Sequence, residues 1–323
     1  MALGLPHRPA HRARPTGREK LHAPGRGIIP RPEADILRAM SIVKELLNIL
    51  ELEPLEVNIY RGRNRDLGSG RVFGGQVFAQ ALVAARHTVE PGREAHSVHG
   101  YFLRAGDLKA PIVFFVDRPR DGRSFTSRRV TAIQHGEAIF HLSASFHVEE
   151  QGVEHQIAMP DVPAPEELPS DLDLIKAELD SFAPDLRAVL AQERPIDIRT
   201  NSPQLPGHVS AGEPSRFTWF RARERLPDDP SLHQAVLAYV SDYGFLPTAL
   251  APHSVSFRDP GVFVASLDHT LWLHRPFRAD EWLLYQMDSP SASHARGFVR
   301  GQVFTRDGLL VASTAQEGVL RVS

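Results

Sequence analysis

The chain has no cysteine. That single absence excludes disulfides, a Cys nucleophile and thiolate metal sites together. It agrees with a reducing compartment, read here as the cytoplasm. Long apolar runs are missing too: none approaches the roughly 20 residues needed to span a bilayer. Neither sign of charge dominates. The 37 Lys and Arg against 39 Asp and Glu leave a formal net charge of −2, so no global field draws in nucleic acid. No Gly-x-Ser-x-Gly elbow and no Walker A motif occur. Gly68-Ser69-Gly70 followed by Gly74 misses the dinucleotide spacing, and no strand–helix–strand unit surrounds it. The last residues, Arg321-Val322-Ser323, are not a Ser-Lys-Leu peroxisomal address. The 16 His are scattered and none belongs to a metal-ligand set. His96 and His99, three apart, are expected on opposite faces of a strand, as are His269 and His274, five apart. His96 is kept as a candidate binding residue.

What is present is an ordinary globular composition, 42% apolar and 24% charged, over 323 residues. That length buries one large core or two medium ones. Residues 1–39 read as a disordered basic tail. Their first 32 positions hold seven Lys or Arg, one acid (Glu19) and six Pro, with no apolar period. The tail lacks the central hydrophobic stretch of a secretory signal. Met40 offers an alternative translation start, because helical periodicity begins just after it at Ile42, Val43, Leu46, Leu47 and Leu50.

Two similar successions follow. Phe73–Val89 reads as an apolar helix entered through Gly74-Gly75-Gln76, wrapped on all sides rather than lying on a surface. Strand-like segments come next at 97–103, 112–118, 124–134 and 138–148, joined by short turns such as His135-Gly136. Residues 151–214 form a Pro-rich connecting region with one or two helices. Then His233–Val240 gives a second apolar helix, and strands recur at 262–267, 270–274, 282–288, 295–305 and 309–320. Consecutive strands without intervening helices imply antiparallel sheets. The predicted class is α+β: a double hotdog, two repeats of a long central helix wrapped by an antiparallel sheet. The N-terminal repeat spans 40–150 and the C-terminal one 215–323.

The repeats align residue on residue. Asp121–Arg129 matches Ser293–Arg300 with Arg128 on Arg300, an offset of 172, and His99–Arg104 matches Thr270–Arg275 at 171. Sliding 137–146 onto 309–318 places Ala144 opposite Gln316. One copy keeps a small apolar residue where the other has an amide, so the chemistry is expected in the C-terminal copy. Asp242 follows an apolar helix, where partial desolvation raises a carboxyl pKa and makes a base for neutral pH. On position alone it also reads as a helix-end or turn Asp. Ser266 lies among apolar residues and reads as a water-orienting hydroxyl or as a tolerated small residue. Gln316 offers two N–H donors and an acceptor, or occupies an edge. Together the three suit hydrolysis without a protein nucleophile: a base, and two groups that hold the attacking water. Backbone N–H groups near Gly74, Gly75 and Gln76, or around Gly244, would receive the oxyanion.

Val72-Phe73-Gly74-Gly75-Gln76, Tyr101–Asp107, Ser241-Asp242, Leu267-Asp268-His269, Trp272–Phe277, Ala295-Arg296-Gly297 and Gln316-Glu317-Gly318 together resemble the acyl-CoA thioesterase II family. The resemblance runs from about Met40 to the end, with every motif in order. It implies a double hotdog that hydrolyses acyl-CoA to fatty acid and CoA, with no metal and no organic cofactor. An Asp, a Thr and a Gln hold the water in that family, and they fall on Asp242, Ser266 and Gln316. Ser in place of Thr keeps the hydroxyl but frees its rotamer, which implies a modest change in rate. The implied partners are the acyl-CoA substrate and further copies of the chain in a homo-oligomer, with no nucleic acid and no membrane span. An acyl-CoA-binding protein without turnover and a hotdog hydratase are the other readings. The second lacks an Asp–His pair.

Overall fold

In the computed structural model, Ser41 opens the described chain by capping α1 (Ile42–Leu50): its hydroxyl accepts the Lys44 N–H at 3.3 Å. Described are residues 41–67, 70–182, 184, 187, 190–201, 212–256, 259 and 261–323; the expected basic tail lies outside them. Val43, Leu46, Ile49 and Leu50 recur at helical spacing and form the buried stripe of α1. A short hairpin follows, β1 (Glu53–Glu56) and β2 (Ile59–Gly62), turned by Asn58 at φ 60°. Asn tolerates that left-handed conformation better than most residues.

The helix expected at Phe73–Val89 runs from Gly74 to Arg86 as α2. Almost all of it is buried, including Gln76 and Gln80, whose amides are satisfied by the chain around Arg63. Strands β3 (Arg93–Phe102), β4 (Ile112–Asp121), β5 (Phe125–Gln134) and β6 (Glu137–Val148) follow. In β5, Thr126, Arg128, Val130, Ala132 and Gln134 alternate inward. His135 and Gly136, both at positive φ, close β5 and β6 into a tight hairpin.

Beyond residue 150 come α3 (Asp171–Ala177), β7 (Ile196–Thr200), β8 (Ser215–Ala222), α4 (Pro230–Val240) and α5 (Phe245–Leu250). Then follow β9 (Val262–Ser266), β10 (Asp268–Leu273), β11 (Leu283–Ser293), β12 (Arg296–Thr305) and β13 (Leu310–Val322). The stretch 151–214 is therefore more than a connection, since it supplies the edge strand β7. Its extended start crosses one sheet face, where Met159, Val162 and Leu168 cover Trp219, Trp282, Leu284 and Phe304.

The strands form one 13-stranded sheet in the order β1-β2-β4-β5-β6-β3-β10-β13-β12-β11-β8-β7, with β9 added to β13; every pairing is antiparallel. Helices α2 and α4 pack against each other, and one continuous apolar core runs through both halves. At the central seam β3 pairs with β10 symmetrically about His99–Thr270. That symmetry makes Val98 the counterpart of His269. It also corrects the repeat over the next strand. Ala144 pairs with Arg128 and Gln316 with Val299, so the counterpart of buried Arg128 is Val299, and exposed Arg129 matches exposed Arg300. The residue lost is taken up in the longer turn between β12 and β13. A second correction concerns His96. The bulge at Ala95–Ser97 breaks alternation and places His96 beside Ser145, on the same sheet face as His99. Among the described residues no helix is long and apolar enough to cross a membrane.

Candidate active site

Helix α4 ends at Val240, and the link Ser241-Asp242-Tyr243-Gly244 turns the chain into α5. Ser241 N–H reaches Leu237 O at 2.8 Å, Tyr243 N–H reaches Val240 O at 2.8 Å, and Gly244 takes φ 71°. This tight link aims the Asp242 carboxylate at the start of α2, where Gly75 N–H donates to Oδ2 at 2.9 Å. Phe73, at the cap position of α2, has no side-chain cap to offer. The helix is capped instead from 167 residues away, with the carboxylate at the positive end of its dipole. Both glycines there are sterically required. A Cβ on Gly74 would lie 2.7 Å from Asp242 Oδ2, and one on Gly75 would run into Tyr239 O. The Gly75 N–H, expected as an oxyanion donor, is thus engaged by Asp242.

Gln316 projects from the inner face of β13, 1% exposed. Its Nε2 donates to Ser266 Oγ at 2.6 Å, and its amide lies near enough to Asp242 to favour the carboxylate form. Ser266 ends β9, opposite Gly318 of β13. The three residues singled out by sequence therefore meet around one amide. Burial pushes the Asp242 carboxyl up to about 7, against the lowering effect of the Gln316 and Gly75 hydrogen bonds. Such a group exchanges protons near neutrality. His96 stands apart: its partners are Ser145, Phe125 and His147.

One member of the cluster was passed over by sequence reasoning. His269 is fully buried, its Nδ1 2.8 Å from Gln316 Oε1 and its Nε2 2.8 Å from Ser241 Oγ. The signal was available: its counterpart is Val98, so the apolar-to-polar change seen at Ala144 and Gln316 occurs here as well. Tyr285 supports the same link by donating its hydroxyl to Ser241 O at 2.9 Å, which leaves Thr314 Oγ1, 2.8 Å away, to donate to the phenol. Val240, Tyr243 and Gly244, the chain neighbours of Asp242, line a cavity of about 280 Å³. Its other walls carry Leu67, Ile198, Phe220 and Tyr285 together with Arg65, Asp171, Arg194 and Arg216. Among the described residues no cluster of His, Asp and Glu could hold a metal ion.

A buried carboxyl raised toward neutrality, beside an amide that meets a hydroxyl, is chemistry compatible with hydrolysis. Residues 186–319 match the acyl-CoA thioesterase family, and residues 63–147 match the acyl-CoA thioesterase N-terminal domain. The chain is 45% identical over 284 residues to acyl-coenzyme A thioesterase 8 of Mus musculus, covering 85% of this chain and 88% of that one. It is 40% identical to acyl-CoA thioesterase 2 of Haemophilus influenzae, covering 87% and 99%. A crystal structure of an acyl-CoA thioesterase II from Mycobacterium marinum superposes with TM-score 0.71 at 44% identity, over 86% of this chain and 98% of that one. A protein with a hot dog fold from Alicyclobacillus acidocaldarius, 21% identical, shares the fold with TM-score 0.67 over 85% and 97%. The chain belongs to the acyl-CoA thioesterase II family, and it is a thioesterase enzyme.

Proposed function

We propose that this enzyme hydrolyses fatty acyl-CoA to free fatty acid and CoA by direct attack of water, without a covalent acyl-enzyme, on a double hotdog whose C-terminal half carries the reacting groups. The observation that carries the reading is the convergence of Asp242 and Ser266 on the Gln316 amide. Asp242 removes a proton from a water oriented by Ser266 and Gln316. The water oxygen bonds to the thioester carbon, and collapse of the tetrahedral adduct breaks the C–S bond. The thiolate leaves readily, since a thiol has a pKa near roughly 8.5, and regains the proton carried by Asp242. Bare of Cβ atoms, Gly74 and Gly75 let Asp242 and Tyr239 pack directly against the start of α2, which sets the base beside that helix end. The acyl chain lies along the apolar wall of the neighbouring cavity, beside Ile198 and Phe220. His96 takes no step.

The test is free-CoA release across an acyl-CoA panel. Asp242→Asn is expected to lower kcat by at least about 100-fold with KM little changed. Near-normal turnover by that variant would reject the assignment. Wild-type enzyme is expected to show no stoichiometric burst of thiol before steady state; a burst would mean an acyl-enzyme. Ile198→Trp should shift preference toward shorter chains, and an unchanged chain-length profile removes the cavity from the reading.

A further inference from the structure

Gln316 serves this site in one of its two amide orientations. With Nε2 toward Asp242 and Ser266 it donates to the Ser266 hydroxyl and favours the Asp242 anion. Flipped, its carbonyl oxygen would face a carboxylate. The deciding partner is on the far side, where Oε1 lies 2.8 Å from His269 Nδ1. A ring N–H there holds Oε1 and sends Nε2 into the site, whereas a ring lone pair there would hold the flipped amide.

We propose that His269 is the positioning residue of this site: as the Nδ1–H tautomer it locks the Gln316 amide with Nε2 aimed at Asp242 and Ser266. This rests on the roles given above to Asp242, Ser266 and Gln316. The ring is fully buried, with Phe78 of α2 and Phe245 of α5 edge-on to it at 4.8 and 5.6 Å. Burial pulls its pKa down to about 4, so near neutral pH it carries one ring proton. Ser241 Oγ, 2.8 Å from Nε2, supplies the complementary donor. The Ser241 hydroxyl also has Ala238 O within reach at 2.9 Å, so its single proton has an alternative acceptor. Donation to Ala238 would leave Nε2 to carry the ring proton and would release Gln316.

The seam supplies an independent observation. Val98, the counterpart of His269, pairs in register with Ala144, the counterpart of Gln316. Both are buried. The half without the amide also lacks the imidazole, and the half with one has both. A histidine that only filled core space would have no reason to track the amide.

The titratable groups packed around this set are Asp242, from the link after α4, and the Tyr285 phenol of β11. Asp268 and Glu317, the chain neighbours, pair with each other's strand through Asp268 Oδ1 and Glu317 N–H. The test compares His269→Val, the residue of the other half, with His269→Asn, which keeps a donor near the Nδ1 position. His269→Val is expected to lower kcat about 10- to 100-fold with KM little changed. The acid limb of its pH–rate profile should move to higher pH, because a freed amide no longer favours the Asp242 anion. His269→Asn should retain the wild-type limb and most of the rate. Unaltered kcat and limb in His269→Val overturns the proposal, as does an equal fall in both variants with the limb unmoved. Nitrogen NMR of wild-type imidazole, which needs no variant to fold, should show Nδ1 protonated and Nε2 bare at pH 7; the reverse pattern also overturns it. Asp242→Asn runs alongside. If that variant stays active, the underlying reading is lost as well; if it is inert while His269→Val is normal, only the role of His269 falls.

Discussion

The carboxyl of Asp242 is held where folding and chemistry want different protonation states. Its folded-state pKa of about 7 lies above the ordinary 3.8, so between those values the folded protein binds the proton more tightly than the unfolded chain does. This group therefore favours folding at acid pH, and its contribution is lost as pH rises through 7, where the proposed reaction needs the anion. Two outcomes follow at this scale. The rate should climb with pH through about 7. Asp242→Asn should gain thermal stability over wild type, with a larger Tm difference at pH 8 than at pH 5; a difference independent of pH would contradict the burial argument. Ser266→Thr should change kcat only modestly, because the hydroxyl that Gln316 meets is kept, whereas Ser266→Ala should lower it by about 10- to 100-fold.

At the scale of elements, α2 is the piece least tolerant of change, since its first turn is pressed against Tyr239 and Asp242. Gly75→Ala is expected to cost about 1–3 kcal/mol, as overpacking does, and to lower kcat as well. Gly212→Ala, with open space around it, should change neither. Comparing melting curves and rates of the two variants checks this. Elements with a buried face were legible in the sequence, because α2 and β5 write their burial into periodicity. The hairpin of β1 and β2 was not: its first strand is exposed throughout and carries no alternation. Helix α5 was missed because it is six residues long, contains Pro247 and starts from the left-handed Gly244. The bulge at Ala95–Ser97 defeated the face assignment of His96, since a bulge is set by the neighbouring strand and leaves no local pattern. In the site, the mismatch between repeats singled out Gln316, whereas Asp242 and Ser266 were chosen for their places after an apolar helix and among apolar strand residues. His269 was overlooked because the repeats were compared for an apolar-to-polar change at Ala144 and Gln316 only, although the offset of 171 also sets it opposite the apolar Val98.

At the scale of the whole molecule, the two halves of the sheet share one core and one site. A chain of residues 41–150 and one of 151–323, made separately, are each expected to be inactive and to recover thioesterase activity when expressed together. Activity of the C-terminal piece alone would show that α2 is dispensable. The outer faces of the halves differ. Residues 159–168 cover Trp219 and Trp282 on one, while Tyr101, Phe115 and Phe125 remain 62%, 49% and 43% exposed on the other. Assembly of whole chains through that bare face fits the homo-oligomer expected from the family, and light scattering at the mass of a single chain would exclude it. The Asp242–Gly75 hydrogen bond has a last consequence. The side chain proposed to activate water also holds the first turn of a core helix in the opposite half, so the two duties part by substitution: Asn keeps an oxygen for the Gly75 N–H and discards only the base, whereas Ala discards both.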